Sequence, residues 1–438
     1  MSLFGTLSLD HGTFVAWSNN LVTGGFAHFY DGWSDYLPGY LYILWLLGKL
    51  SLILKIVPEV MLYKLPANIA DVVTAALIYS IVKKIKNEKL AILSSSLYLF
   101  NPAILGNSTL WGQVDSFVSL FSMLALWILN KNVYLSAMFL AVGILVKPQA
   151  ALAAILIFAI LVYKKVNILK IVSYVSLSFS IFFLGFIPFW SGKGNFFMFV
   201  YERVQVTLGQ YPYTSVNAFS FWGLQGFWQP DRTLIIVLGL IVIALCALYS
   251  FFRNKKTEGF EYQILAVLYL VGFLFQTRMH ERHLLPVFAP LAIAASVNPT
   301  FWISYGILSL TYVSNLYYSF VWITENFKTV FSDIAIKFFI ILNLFSLFIL
   351  LLNKKISRKI DLNMSFTPKT QKFSKGFFDH KGRAKIALSL IVIFAFVSRI
   401  VTLWDPPKEY FDEVYHAFTA RVMLHGDPKA WEWWNTPP

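Results

Sequence analysis

The chain has 438 residues, of which 58% are hydrophobic and only 13% charged, against roughly 25% charged residues in a soluble domain. That balance excludes an ordinary soluble enzyme. The formal net charge is +14, yet it is not spread as a nucleic-acid-binding face would be. Between Lys354 and Lys385 ten Lys or Arg stand against two acids, Asp361 and Asp379, so +8 of it falls in one stretch between apolar runs. No nucleic-acid partner is expected.

Twelve apolar segments follow one another, at approximately 66–82, 90–106, 114–129, 133–147, 149–163, 168–189, 233–252, 263–277, 284–297, 301–322, 334–353 and 386–403. Runs near 20 residues are long enough to span a bilayer as helices. Backbone polar groups cannot stay unpaired in lipid, so spanning elements are helices or closed barrels. The runs are continuous rather than alternating, which excludes the barrel. The expected class is therefore all-α, a polytopic membrane bundle of about twelve spans. Before the first run, 38–56 is apolar enough to span. Its aromatic residues Tyr36, Tyr40, Tyr42 and Trp45 read instead as a helix lying in the outer interface. No cleavable signal peptide is expected, because Met1 leads within ten residues into a polar, aromatic segment. The single cysteine, Cys246, excludes an intrachain disulfide.

Basic residues follow alternate runs: Lys83, Lys84, Lys86 and Lys89; Lys131; Lys164, Lys165 and Lys170; Arg253, Lys255 and Lys256; then the 354–385 loop. Cytoplasmic loops carry such an excess. Placing these inside puts 1–65, 106–115, 190–232, 277–283 and 404–438 outside, and nearly every polar motif falls there. The expected location is the plasma membrane, with the site on its non-cytoplasmic face. Three units are expected: a first module over 1–353, the basic loop 354–385, and a second module beginning at 386–438. Asp10 precedes Gly24 by fourteen residues, as Asp412 precedes Gly426. The chain thus reads as one module without its first span, followed by the first span and outer loop of another.

The outer segments hold the chemistry. Asp10, Asp35 and Asp115 are carboxylates near membrane depth, where charge is costly and tends to line a cavity; a helix cap or a water-facing loop acid is the simpler role for each. Asp71, inside an apolar run, fits packing or capping as well as function. Lys147, in GILVKPQAAL, sits outside against the charge trend, and a phosphate is a natural partner for a desolvated ammonium; snorkelling to the interface is the alternative. FQTRMHERHLLP packs Arg278, His280, Glu281, Arg282 and His283 into six residues. Arginines grip phosphates bidentately, although an ion-paired turn has the same composition. Two histidines without a third ligand do not make a metal site, so neither metal nor cofactor is expected. GQYPYTSVNAFSFWGL gathers Tyr211, Tyr213, Asn217 and Trp222, side chains that suit a sugar and equally suit a membrane interface. Walker, GxSxG, HExxH and GxGxxG motifs are missing, and the sequons at Asn107 and Asn363 read as chance.

Taken in order, LDHGTFVAW, SDYLPGYLYILWLLG, LWGQVDS, LVKPQA, YPYTSVNAFSFW and TRMHERHLLP resemble the GT-C superfamily of membrane glycosyltransferases. They are similar to bacterial proteins related to the glycosylphosphatidylinositol mannosyltransferases and, more distantly, to the dolichyl-phosphate-glucose-dependent glucosyltransferases of N-glycan assembly. The likeness covers roughly residues 5–350. Residues 386–438 resemble the start of a protein O-mannosyltransferase module, Asp412 and Glu413 matching its outer-loop acidic pair. The resemblance implies an inverting transfer of a hexose, mannose in the first instance, from a polyprenyl-phosphate donor to a glycan or protein acceptor. It makes Asp10 the general base. Lys147, Arg278, His280 and Arg282 fall near the donor phosphate. Asp35, Tyr36, Trp111, Gln113, Asp115, Tyr211, Tyr213, Asn217 and Glu281 fall in the substrate cavity. A transporter or flippase of lipid-linked sugars, with charges lining a path through the bundle, and an inactive fragment are the rival expectations.

Overall fold

The computed structural model describes residues 7–361 together with 389, 392 and 393; Asp412 and Glu413, and with them nearly all of the expected second module, lie outside the described residues. Within these the chain is all-α apart from one pair of two-residue strands. In chain order the helices are α1 (Ser8–Thr23), α2 (Pro38–Ile53), α3 (Glu59–Ile85), α4 (Glu88–Leu99), the single turn α5 (Pro102–Ile104), α6 (Ser116–Leu129), α7 (Val133–Val146) and α8 (Leu152–Tyr163). There follow α9 (Ile168–Leu184), α10 (Phe196–Gly209), α11 (Thr233–Asn254), α12 (Phe260–Phe275), α13 (Phe288–Val297), α14 (Phe301–Thr324) and α15 (Asp333–Asp361).

Five stretches are long and apolar enough to cross a membrane: Glu59–Ile85, Glu88–Trp111, Ile168–Phe189, Thr233–Asn254 and Asp333–Leu352. Shorter apolar helices occupy Pro38–Ile53, Ser116–Leu129, Val133–Val146, Pro148–Tyr163 and Phe260–Phe275. Helices that are apolar all round either sit in a core or face lipid, and both kinds occur. In α12 every residue from Tyr262 to Leu274 is buried, so it forms the centre of the bundle. In α9 only Ile171 and Tyr174 are buried, while Leu169, Val172, Phe179 and Leu184 stand exposed, the surface expected of a helix bathed in lipid.

The bundle has two unlike ends. At one, an ion pair of 3.6 Å joins Lys86 to Glu258, Lys164 donates to Asn130 Oδ1 at 2.6 Å, and the Lys255 ammonium sits 5.3 Å from the Tyr163 ring. The basic turns after α3, α6, α8 and α11 are therefore neighbours, as the charge alternation in the sequence requires. At the other end lie the polar motifs, under a cap made by α1 and α2. These two helices run side by side in the same direction: the Phe14 and Tyr40 rings lie 5.4 Å apart, Ser18 Oγ donates to Leu44 O at 2.7 Å, and Gly48 has no room for a Cβ because Ser18 and Val22 press on it. Gly39 packs directly on the backbone of Leu145 and Val146, while His11 lies 3.7 Å from Glu59 at the start of α3. Both ends of α2 thus stay at the same end of the bundle. The cap has an apolar core of its own, with Phe14, Tyr40, Leu44, Tyr63, Phe117 and Phe189 among its buried members.

Candidate active site

Asp10 lies in the first turn of α1, and its position is fixed from α4's far end. There the chain leaves α-helix after Leu99, and Asn101 caps α5 by accepting from Ala103 N at 2.9 Å. The segment Leu105–Trp111 then winds as a π-helix until Gly112, whose φ of 87° ends it. A π-turn is wider than an α-turn and recurs at functional sites. Each polar side chain of this one is held: Asn107 by the Tyr312 hydroxyl at 3.1 Å, Ser108 by Asp71, Thr109 by Asn68 at 2.7 Å. Lys64 Nζ donates to Leu110 O at 2.7 Å, the role a cation commonly takes at a helix C-terminus. Asp71 and Asn107 are fully buried, so the first supports the π-turn and the second offers no accessible sequon. Anchored in this way, Trp111 Nε1 and Gln113 Nε2 both donate to Asp10 Oδ2, at 2.9 and 2.5 Å. Oδ1 has no partner among the described residues.

Two residues beyond Gln113, Asp115 receives Lys147 Nζ at 2.8 Å, and both side chains are buried. Lys147 ends α7, its N–H closing on Gly143 O, and Pro148 opens the 3₁₀ turn into α8. The desolvated lysine expected from the sequence is therefore not alone: it enters the site already paired. Its ammonium also lies 5.9 Å from the Tyr36 ring.

The third component is the turn after α12. Strands Ser215–Val216 and Met279–His280 pair in parallel, Ser215 opposite Met279, so the long loop 190–232 is stitched to the histidine-arginine turn. Neither these strands nor α10, which lies within the same loop, is expected from the sequence. Arg278 does the stitching. Its N–H donates to Tyr213 O at 2.8 Å, Nε to Asp231 Oδ2 at 2.7 Å, and Nη1 to Leu208 O at 2.5 Å. Asp231 was not singled out by sequence reasoning. An acid two residues before the span α11 is the only local signal, and its partner lies 47 positions away. Arg282 differs. Its single ion pair, to the buried Glu281, is long at 3.3 Å, and its Nε has no partner among the described residues. Tyr213 backs the loop, its ring 5.2 Å from Trp228, and Asn217 accepts from Trp228 Nε1 at 2.9 Å. His283 lies 3.1 Å from the Gln149 amide, and the His280 ring meets the Tyr211 ring edge-on at 4.8 Å.

These parts enclose a cavity of about 580 Å³. Eight of the residues singled out from sequence line it: Asp35, Tyr36, Lys147, Tyr211, Arg278, His280, Arg282 and His283. Asp10, Trp111, Gln113, Asp115, Tyr213, Asn217 and Glu281 stand behind or beside these rather than on the lining. Asp10 still acts on the cavity by charge, being felt by Asp35, Tyr36, Tyr211 and Arg282. The remaining wall is largely apolar, with Gln149, Thr207, Gln210, Gln276 and Thr277 as its polar members. Ile144, Ile155, Val204, Leu208 and Ile236 come from four different helices, and Ile155 and Leu208 are about half exposed, at 45% and 50%.

No family model and no curated protein matches this chain. The site must therefore be judged on its own chemistry. Burial raises the Asp35 carboxyl above its ordinary value, against the pull of Arg282 and Lys147. Burial also raises Glu281. Burial, helped by Arg282 and Lys147, holds His280 well below the usual imidazole value, and His283 behaves likewise. Both histidines are neutral at pH 7. Among the described residues no three His, Cys, Asp or Glu side chains are placed to hold one metal ion. What the arrangement offers is a clamped carboxylate, Asp10, beside a cavity lined by the carboxylate of Asp35 and by the cationic Lys147, Arg278 and Arg282.

Proposed function

We propose that the chain is an inverting glycosyltransferase that moves a hexose, mannose in the first instance, from a polyprenyl-phosphate donor to a hydroxyl of a glycan or protein acceptor. One observation supports this reading: Asp10, with one carboxylate oxygen clamped and the other without a partner among the described residues, lies close enough to act by charge on Asp35, Tyr36, Tyr211 and Arg282 of a cavity that Lys147 and Arg278 also line and whose wall is largely apolar. An acceptor hydroxyl attacking the anomeric carbon must lose a proton, and a carboxylate within hydrogen-bond reach can take it. A bond forms between the acceptor oxygen and that carbon while the carbon–oxygen bond to phosphate breaks. The departing phosphate gains negative charge, so it needs cations rather than a general acid. The apolar wall suits a polyprenyl chain entering from lipid.

The same reading orders the rest of the molecule. The basic turns gathered at the far end support placing that end in the cytoplasm, with the cavity on the outer face of the plasma membrane and a GT-C-like bundle of up to twelve spans between them. Arg278 is held by Asp231 and Leu208 and Lys147 by Asp115, so the phosphate falls first to Arg282, whose Nε has no partner among the described residues, with the Lys147 charge beside it. The test is Asp10→Asn, assayed in membranes with a polyprenyl-phosphate hexose. Loss of the proton acceptor is expected to lower turnover by about 10²–10⁴-fold while the protein still inserts and donor binding persists. Wild-type turnover in that variant would remove Asp10 as the base.

A further inference from the structure

The site holds five acids, and four are claimed by protein donors: Asp10 by Trp111 and Gln113, Asp115 by Lys147, Asp231 by Arg278, Glu281 by Arg282. Asp35 is the exception. Its carboxylate lines the cavity and takes a hydrogen bond from its own backbone N–H, but no side chain among the described residues donates to it. It is not loose, because the backbone around it is pinned. Trp17 Nε1 donates to Trp33 O at 3.1 Å, Tyr36 N to Ser34 Oγ at 3.2 Å, and Tyr30 Oη to Tyr36 O at 2.9 Å. Leu37 and Ser34 are buried on either side. Three clamps within four residues present one side chain to the cavity.

A half-buried carboxylate with open lone pairs favours a ligand that supplies hydrogen-bond donors. A phosphate supplies none at neutral pH and is repelled. Hydroxyls supply them, and a carboxylate can accept two at once, one at each oxygen. Tyr36, Tyr211 and His280 bring rings to the same cavity, and flat rings suit the apolar face of a pyranose. Arg282 and Lys147 lie close enough to act on Asp35, so a phosphate held by them would set a sugar beside it. We infer that Asp35 reads the donor sugar by accepting hydrogen bonds from two neighbouring hydroxyls, with Tyr36 and Tyr211 against the ring. This rests on the donor proposed above. It makes Asp35 the residue that distinguishes one hexose from another, separate from the proton transfer at Asp10.

Binding can test this without turnover. The probes are citronellyl phosphate and citronellyl-phosphate mannose, titrated against the purified full chain. In the wild type the sugar should add affinity beyond the phosphate lipid alone. In Asp35→Asn and Asp35→Ala the phosphate lipid should bind as before, while the sugar's increment falls roughly tenfold to a hundredfold, as loss of hydrogen bonds to a charged group implies. A mannose donor lacking one of the paired hydroxyls should bind the wild type as weakly as the complete donor binds Asp35→Asn, with little further loss in that variant. Arg282→Gln should weaken both probes alike. An Asp35→Asn protein that keeps the full sugar increment overturns the assignment, and so does one that loses turnover while the increment is intact, since Asp35 would then act on the proton. If the wild type gains nothing from the sugar, the glycosyltransferase reading itself fails, whatever Asp35 does.

Discussion

At the basic end of the bundle the chain turns over in a few residues, and three of the new helices, α4, α7 and α9, begin on an asparagine. Asn87, Asn132 and Asn167 accept from Leu90, Leu135 and Leu169 N–H groups, the ordinary capping bond. At the opposite end α4 runs into a π-turn, α7 stops at a paired lysine, and the loop before α11 is fastened by two-residue strands and an arginine clamp. Six of the seven non-glycine residues with left-handed backbone in the described residues are Tyr211, Asn217, Trp228, Arg278, Asn326 and Phe327. All six lie at or beside that end; only Lys165 lies at the basic one. Strained backbone and buried charge persist where the surroundings over-determine them, commonly at functional sites. The contrast teaches that one end is built for regular closure and the other to hold irregular geometry in place.

The sharpest way to break that contrast is to unpair a charge at the irregular end. Lys147→Met leaves the Asp115 carboxylate, almost fully buried, without its cation. Removing one partner of such a pair costs about 3–5 kcal/mol. Thermal unfolding in detergent should therefore shift strongly, and transfer should cease. Adding Asp115→Leu should return most of the stability, because an apolar pair replaces a half-broken ionic one, yet under the proposed function transfer should stay absent for want of a cation beside the donor phosphate. A single variant as stable as the wild type would show that this end does not depend on the pair.

Much of the two-ended plan was legible in the sequence. The apolar runs and the basic residues after alternate runs predict where helices turn back, and the turns at Lys86, Lys164 and Lys255 are found together as that pattern demands. The acids, Lys147 and the histidine-arginine turn were also legible, because charge near membrane depth is conspicuous. What the sequence could not separate was the role of each. Arg278 and Arg282 look alike as letters in TRMHERH; only the fold gives one of them Asp231 and the carbonyl of Leu208 while leaving the other with free donors. Lys147 likewise reads as isolated until α6 brings Asp115 to it. The π-turn has no period to detect, since its polar residues are explained by partners on α3 and α14. Asp10's two donors come from a segment 101 and 103 positions away, a relation that no local pattern contains.

A smaller effect should follow acidity. His280 and His283 are held well below the ordinary imidazole value of 6.5 by burial, so the native state keeps both neutral while the unfolded chain takes up protons as pH drops past 6.5. The unfolded state then binds more protons, and stability falls with falling pH. Between pH 6.5 and 5.5 the loss attributable to the pair should be about 1–2 kcal/mol. A His280→Asn, His283→Asn double variant should show a flatter pH dependence over that range. An unchanged slope would mean that acidity acts elsewhere in the chain.

The regular end should respond least, and that is the control the comparison needs. Asn132→Ala deletes the side-chain acceptor for Leu135 N–H at the start of α7, which costs roughly 1 kcal/mol. Yet α7 also carries Lys147 at its other end, so the variant asks whether disturbance passes along a helix of fourteen residues. The next buried contact, Ser136 Oγ to Ala125 O at 2.7 Å, fixes α7 to α6 one turn in and should confine the fraying to the first turn. Unfolding should therefore move slightly and cooperatively, while donor binding and transfer keep their wild-type values. A loss of transfer larger than the loss of stability would show that the two ends communicate through α7, and that the regular end helps to set the geometry at Lys147.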